Sequence, residues 1–351
     1  MPKDNENIPF LGPVEPSEPL GFPAEQMIRC EKCLRANPPT RVSCLYCVTP
    51  LPLTEASVRL RKPVLRQPEK HQLGYNSILL PVAGEVANVD DAAALLKLSP
   101  ENMQQLMSQS VPMPVARTSS REEAELVRLR LRDLGLSCVT VSDEELGLSS
   151  SDNLVRRVRA MRSDEERFVI YHSGTEATEV AWSEVILILP ARIIETRLEI
   201  KERLTRKKEN EIVDTNEFFR DEVVIDFYTA ADWFTSRVSA SGFDFSCLGS
   251  EKALVANENI GRLQRLIIAK AVNARVDDSY PRVRNLLELV WSTQSETESS
   301  GWRRERPGKL SVGVATTKSN ESQFTRYSRL RYYLDFNQSR LQDLQDCSGL
   351  T

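Results

Sequence analysis

The chain has 351 residues, 40% of them hydrophobic and 27% charged, with a formal net charge of −4. That length exceeds what one hydrophobic core usually spans, so two or three domains are expected in a chain of ordinary soluble composition. The acidic balance gives no overall attraction to nucleic acid, and no apolar run reaches the roughly 18–20 residues that a membrane-crossing helix needs.

Residues 1–25 are acidic and proline-rich with no apolar signal core, which predicts a disordered linker and a cytoplasmic location. Four of the seven cysteines follow at once, spaced Cys30-x2-Cys33-x10-Cys44-x2-Cys47. In a secreted protein such a cluster would suggest two disulfides; in a reducing compartment it reads as a metal site, with redox dithiols or unliganded thiols as the other readings. Each Cys-x2-Cys step can bend into a knuckle that aims two thiolates at one ion, and Asn37-Pro38-Pro39 supplies the reversal between knuckles. Four thiolates leave no position open for water, so the site is structural rather than catalytic.

A ribbon domain is expected over 26–50; within it residues 29–47 resemble bacterial zinc ribbons on these cysteines, and the resemblance implies one structural Zn2+ held by Cys30, Cys33, Cys44 and Cys47. The second knuckle ends Cys47-Val48 without the glycine such knuckles often carry, which predicts a less relaxed turn. Residues 51–72 read as a proline-rich linker with Arg59, Arg61, Lys62, Arg66 and Lys70 against Glu69. No aromatic residue is interleaved for base stacking, so a solvated strip is expected, with nucleic-acid contact the alternative.

A small α/β domain is expected over 73–148. A strand at 75–80 precedes a short helix at 89–98, a second helix begins at Ser99-Pro100, and a strand covers 113–118. A helix capped by Ser120 and ended by Gly135 then leads to a strand at 136–141. That order, with TSSREEAELVRLRLRDLGLSCVTV at 118–141, resembles the C-terminal domain of the ribosomal stalk protein and the same-fold protease adaptors. The stalk domain docks translation factors through a Gly- and Lys-rich helix. The matching VDDAAALLKLSP has one lysine and two aspartates, so that function is not carried over.

After SSSDN at 149–153 the pattern turns to strands, predicting a β-rich domain over 153–276 with a closing helix at 258–273. This arrangement is reminiscent of pleckstrin-homology-like barrels. The charged stretch 198–217 reads as a mobile insertion or exposed helix, and 233–248 as strand. Region 277–351 is expected to be helical and loop-rich, with an amphipathic helix at 280–291, a flexible loop at 295–311 and a docked helix at 324–336. The fold class is therefore α+β and multi-domain.

Chemistry-bearing residues are few. Only His71 and His172 are present, and no phosphate-binding or nucleophile motif occurs. Asp221, Glu222 and Asp226 are expected to face solvent, and Cys138 and Cys247 to be buried free thiols. The sequence thus points to a non-enzymatic zinc-binding protein that contacts another protein as an interaction or regulatory scaffold. A nucleic-acid- or ribosome-associated factor is the alternative, and the oligomeric state is left open.

Overall fold

The computed structural model describes residues 21–69, 72–81, 88–149, 155–172, 177–204, 210–230, 234–301, 303–306 and 309–336. Most of the expected 1–25 linker, Lys70, His71, Cys347 and the chain beyond 336 lie outside the described residues.

Strands β1 (Ile28–Arg29) and β2 (Ala36–Asn37) pair antiparallel around the first knuckle. Helix α1 (Glu55–Leu60) follows, begun by a reciprocal capping box between Thr54 and Ser57. The stretch read as linker therefore contains a helix, and Arg61 beside it is only 1% exposed.

The expected strand–helix–helix–strand–helix–strand order is present as β3 (Tyr75–Leu79), α2 (Val89–Leu96), α3 (Pro100–Met107), β4 (Met113–Thr118), α4 (Arg121–Asp133) and β5 (Cys138–Ser142). Ser99 and Ser120 cap α3 and α4 by accepting from the N–H groups of Asn102 and Glu123. Gly135, at φ 82°, takes the left-handed conformation that ends α4. β3 is the centre of an antiparallel sheet ordered β4-β3-β5, and Ala92, Met103, Val127 and Leu131 from the three helices are buried with Ile78.

The β-rich part contains β6 (Val155–Val158), β7 (Ala160–Ser163), β8 (Arg167–Tyr171), β9 (Ala177–Ala181), the 20-residue β10 (Val185–Leu204) and β11 (Asn210–Thr229), and β12 (Thr235–Ser239). Helix α5 (Ala256–Lys270) closes it, burying Ile260, Leu263 and Ile267 as expected, although Val272 beyond its end is exposed. Short β13 (Arg275–Val276), α6 (Tyr280–Leu287), β14 (Gln294–Ser299), β15 (Arg303–Arg306), β16 (Lys309–Ser319) and α7 (Glu321–Phe336) complete the chain. No helix among the described residues is long and apolar enough to cross a membrane.

The stretch 198–217 is neither helix nor loose insertion; it forms the paired far ends of β10 and β11. The expected loop at 295–311 lies largely within β14, β15 and β16. Residues 245–251 form a 3-10 helix rather than a strand. No barrel closes among the described residues. β7-β8-β9 form a sheet separate from the eight-stranded one built around β10 and β11, and the chain passes from one to the other at Arg159, between β6 and β7.

β10 and β11 divide the interior, because alternate side chains of a strand face opposite ways. Leu187, Leu189, Ala191 and Ile193 of β10, with Val224 and Tyr228 of β11, join the core that contains α6, α7 and the β3–β5 sheet. Ile188, Ile225 and Phe227 join the other core, with β6–β9 and α5. Val185 also belongs to the second set, since the register shift between Val185 and Leu187 flips its face. Pro190 is tolerated within β10 because it lies between the segments where β13 and β16 pair, so its missing N–H interrupts no ladder there.

α7 is held by buried carboxylates from three different places. Asp143 meets Arg326 at 2.7 Å, Asp226 accepts from Ser328 at 2.8 Å, and Asp277 pairs with Arg331 at 2.6 Å. This helix is buried almost all round, including Arg329 and Arg331, so its arginines are structural rather than a nucleic-acid face.

Candidate metal centre

Two equivalent turns place the cysteines. Leu34 N–H donates to Cys30 O (2.8 Å) and Val48 N–H to Cys44 O (3.0 Å), while Cys30 and Cys44 N–H return to Arg35 O and Thr49 O. Each turn needs a left-handed residue after its second cysteine. Leu34 (φ 58°) and Val48 (φ 60°) occupy those positions where glycine would be relaxed. Asn37, fully buried, braces the turns together: its amide donates to Arg35 O at 2.9 Å and its carbonyl accepts from Leu45 N–H at 2.8 Å.

The four sulfurs converge. All lie within 4.8 Å of one another, with Cys30–Cys47 and Cys33–Cys44 each at 3.5 Å. A tetrahedral thiolate shell with metal–sulfur bonds of about 2.3 Å requires sulfurs roughly 3.8 Å apart. A disulfide requires about 2.05 Å, so these thiols are not bridged. The group could hold one metal ion, and all four predicted ligands are brought together.

The electrostatics suit a cation. Burial raises the Cys44 thiol, yet the N–H groups of Tyr46 and Cys47 and the neighbouring Cys33 outweigh it and bring it down to about 6. Thr49, through its hydroxyl and its N–H, lowers Cys47. Cys33 goes the other way: the Arg35 N–H lowers it, but burial and three adjacent sulfurs push it up to about 12. A cation at the centre favours the thiolate form of its ligands.

Arg61 gives an independent test of fit. Its guanidinium donates to Pro39 O (3.0 Å) and Pro52 O (3.2 Å), on either side of the second knuckle, while Nη1 is buried with no hydrogen-bond partner. No carboxylate pairs with it among the described residues. A buried guanidinium without a counter-charge is costly, and a divalent ion in four thiolates carries a formal charge of about −2.

Other sequence candidates do not assemble into a site. His172 follows β8, away from the cysteines in the chain. Asp221 pairs with Arg192, and Glu222 receives Ser241 and Arg220. Asp226, expected to face solvent, is fully buried and held by Arg237 through two bonds of 2.6 and 2.8 Å. Burial pushes the Cys138 thiol up to about 12 and also raises Cys247, the opposite of an activated nucleophile. A cleft of about 550 Å³ is lined by Arg275, Asp277, Asp278, Arg282, Arg331 and Asp335. Burial raises Asp335, yet each of these charges is already in an ion pair within the group.

What the sequence missed are the residues that brace the knuckles: Asn37 and Arg61 carry no motif, and Arg61 stood among four other basic residues that looked alike. No family model matches the chain, and neither the curated proteins nor the solved structures contain a match to it.

Proposed function

We propose that Cys30, Cys33, Cys44 and Cys47 bind one Zn2+ as a structural centre, and that the chain is a non-enzymatic, cytoplasmic interaction scaffold whose ribbon is folded by that ion. The observation that carries this reading is the mutual approach of all four sulfurs within 4.8 Å. Zinc is favoured over other ions because four thiolates at tetrahedral spacing match its softness and geometry. The ion's role is to supply folding free energy. The ribbon's own core is small, consisting of Ile28, Leu51 and the cysteines.

Residues 34, 45, 46 and 48 place Leu34, Leu45, Tyr46 and Val48 at 50–74% exposure around the knuckles, a concentration of apolar surface that suits contact with another protein. The resemblance of 73–148 to the stalk and adaptor domains adds only its order of elements; the translation-factor function is not proposed. Elemental analysis of purified protein should give one zinc per chain, and cobalt substitution should give the spectrum of a tetrahedral tetrathiolate. Well under one zinc per chain would refute the metal. Submicromolar RNA or DNA binding that weakens steeply with salt would refute the scaffold reading instead.

A further inference from the structure

The far end of the long sheet leaves a strand edge open. β11 pairs with β10 along its whole length, but on its other side β12 pairs only from Val224 onward. From residue 212 to 221 every side chain is exposed, and no strand covers this outer edge among the described residues. A bulge at Val213, where Lys201 opposes Asp214 and Glu202 opposes Ile212, ends the regular run at one side. Residues 214–221 then present a straight edge of backbone donors and acceptors.

Natural sheets blunt such edges with lysine, proline or short length. The opposite edge strand, β14, is blunted: its six exposed residues are Gln, Ser, Thr and Glu, with no large apolar side chain. β11 is not. Phe218 and Phe219 are 54% and 67% exposed, one on each face. Two charges are already satisfied, since Arg220 bonds to Glu222 and Asp221 to Arg192. Asp214 and Glu217 have no ion-pair partner among the described residues, so the open edge is apolar and acidic.

We infer that this edge accepts an extended strand from a partner protein, one that sets basic residues across from Asp214 and Glu217 and apolar residues across from Phe218 and Phe219, and adds to the sheet beside β11. Backbone hydrogen bonds supply the attachment, and the carboxylates of Asp214 and Glu217 select basic side chains across from them. A second copy of this chain fits less well, because its own β11 edge carries the same sign. The inference deepens the scaffold reading by naming the partner's chemistry, and it is independent of the metal.

The test uses the full chain with and without chelator, and two acetylated probe peptides, one with lysines placed three positions apart to oppose Asp214 and Glu217 and valines to oppose Phe218 and Phe219, the other with glutamates in place of those lysines. Amide hydrogen exchange should slow for alternate residues within 212–221 when the lysine peptide is added, with affinity at least about tenfold above the glutamate peptide at low salt. The surface double variant D214K/E217K, which keeps Phe218 and Phe219, should reverse that preference, and chelation should leave it unchanged. Equal binding of the two peptides, or no protection of 212–221, would overturn the inference. So would protection that rises with protein concentration alone, which would make the occupant a second copy. A zinc-free purified protein that still binds the lysine peptide would refute the metal and leave this edge standing.

Discussion

Arg326 on α7 places Nη1 2.7 Å from Oδ1 of Asp143, at the end of the small sheet's last strand, and so ties residues 183 positions apart. Asp143 is 1% exposed and also accepts from Gly74 N–H, Asn76 Nδ2 and Arg117. Asn76 in turn receives Trp291 Nε1 at 2.9 Å. The small α/β unit and the C-terminal helices are therefore joined by a buried polar network as well as by a shared apolar core.

Asp143→Asn should weaken that junction. Burial raises the carboxyl, but Arg326, Arg117 and Asn76 outweigh it and hold the acid below the ordinary aspartate value of 3.8. A carboxyl lowered on folding contributes fully above its unfolded value, and the contribution disappears as pH falls through the folded one. Removing the charge leaves two guanidinium groups without their partner, a loss of about 3–5 kcal/mol at neutral pH. Denaturant titrations at pH 7 and at pH 3 should show a wide gap between wild type and variant at pH 7 and a narrower one at pH 3. A gap that does not change with pH would remove the charge from the explanation.

The Asp226–Arg237 pair makes a second prediction. Both side chains are at most 1% exposed, and Arg237 also reaches Glu321 and Thr325 of α7. Asp226→Leu alone should cost about 3–5 kcal/mol, because it strands a buried cation. Adding Arg237→Met should recover much of that loss, since two apolar groups of matching bulk need no counter-charge. Equilibrium unfolding of the two variants checks the order; a double variant less stable than the single one would contradict it.

How much of this was legible follows from where each signal comes from. The βααβαβ order was readable because Ser99, Ser120 and Gly135 act locally, through caps and a left-handed turn. The cysteine cluster was readable because its spacing is the geometry. Residues 198–217 and 295–311 were misread because those strands belong to a sheet arm with solvent on both sides. Strand prediction relies on one buried face to create apolar alternation, and β14 has six exposed residues in six. Asp226 was misread for the complementary reason: its partners, Arg237 and Ser328, lie 11 and 102 residues away, and one strand does not reveal them.

Metal removal should act locally, with Arg61 as its reporter. Chelation or acid should release the ion, since binding needs thiolates, and should expose the backbone of 28–51, while residues beyond 74 keep their own cores. Cys44→Ser should reproduce this without chelator. Arg61→Met removes two charge-assisted bonds to the ribbon's carbonyls, and zinc retention should fall by about tenfold or more, the loss expected from one hydrogen bond to a charged group. Competition with a chromogenic chelator measures the loss. Unchanged retention in Arg61→Met would mean that α1 merely covers the ribbon.

Val48 offers a prediction of opposite sign. It holds φ 60° immediately after Cys47, with a β-branched side chain that is 74% exposed and has little packing to lose. A non-glycine residue in the left-handed region costs of order 1–3 kcal/mol, and branching at Cβ places valine toward the unfavourable end. Glycine relieves that strain but has more freedom to lose on folding, a penalty of roughly 0.5–1 kcal/mol. The difference favours Val48→Gly, which should hold zinc more tightly than wild type in the same chelator competition. Val48→Ala keeps the left-handed strain without the branch and should fall between the two. Weaker retention in the glycine variant would show that the exposed valine is held by contacts that outweigh its backbone strain.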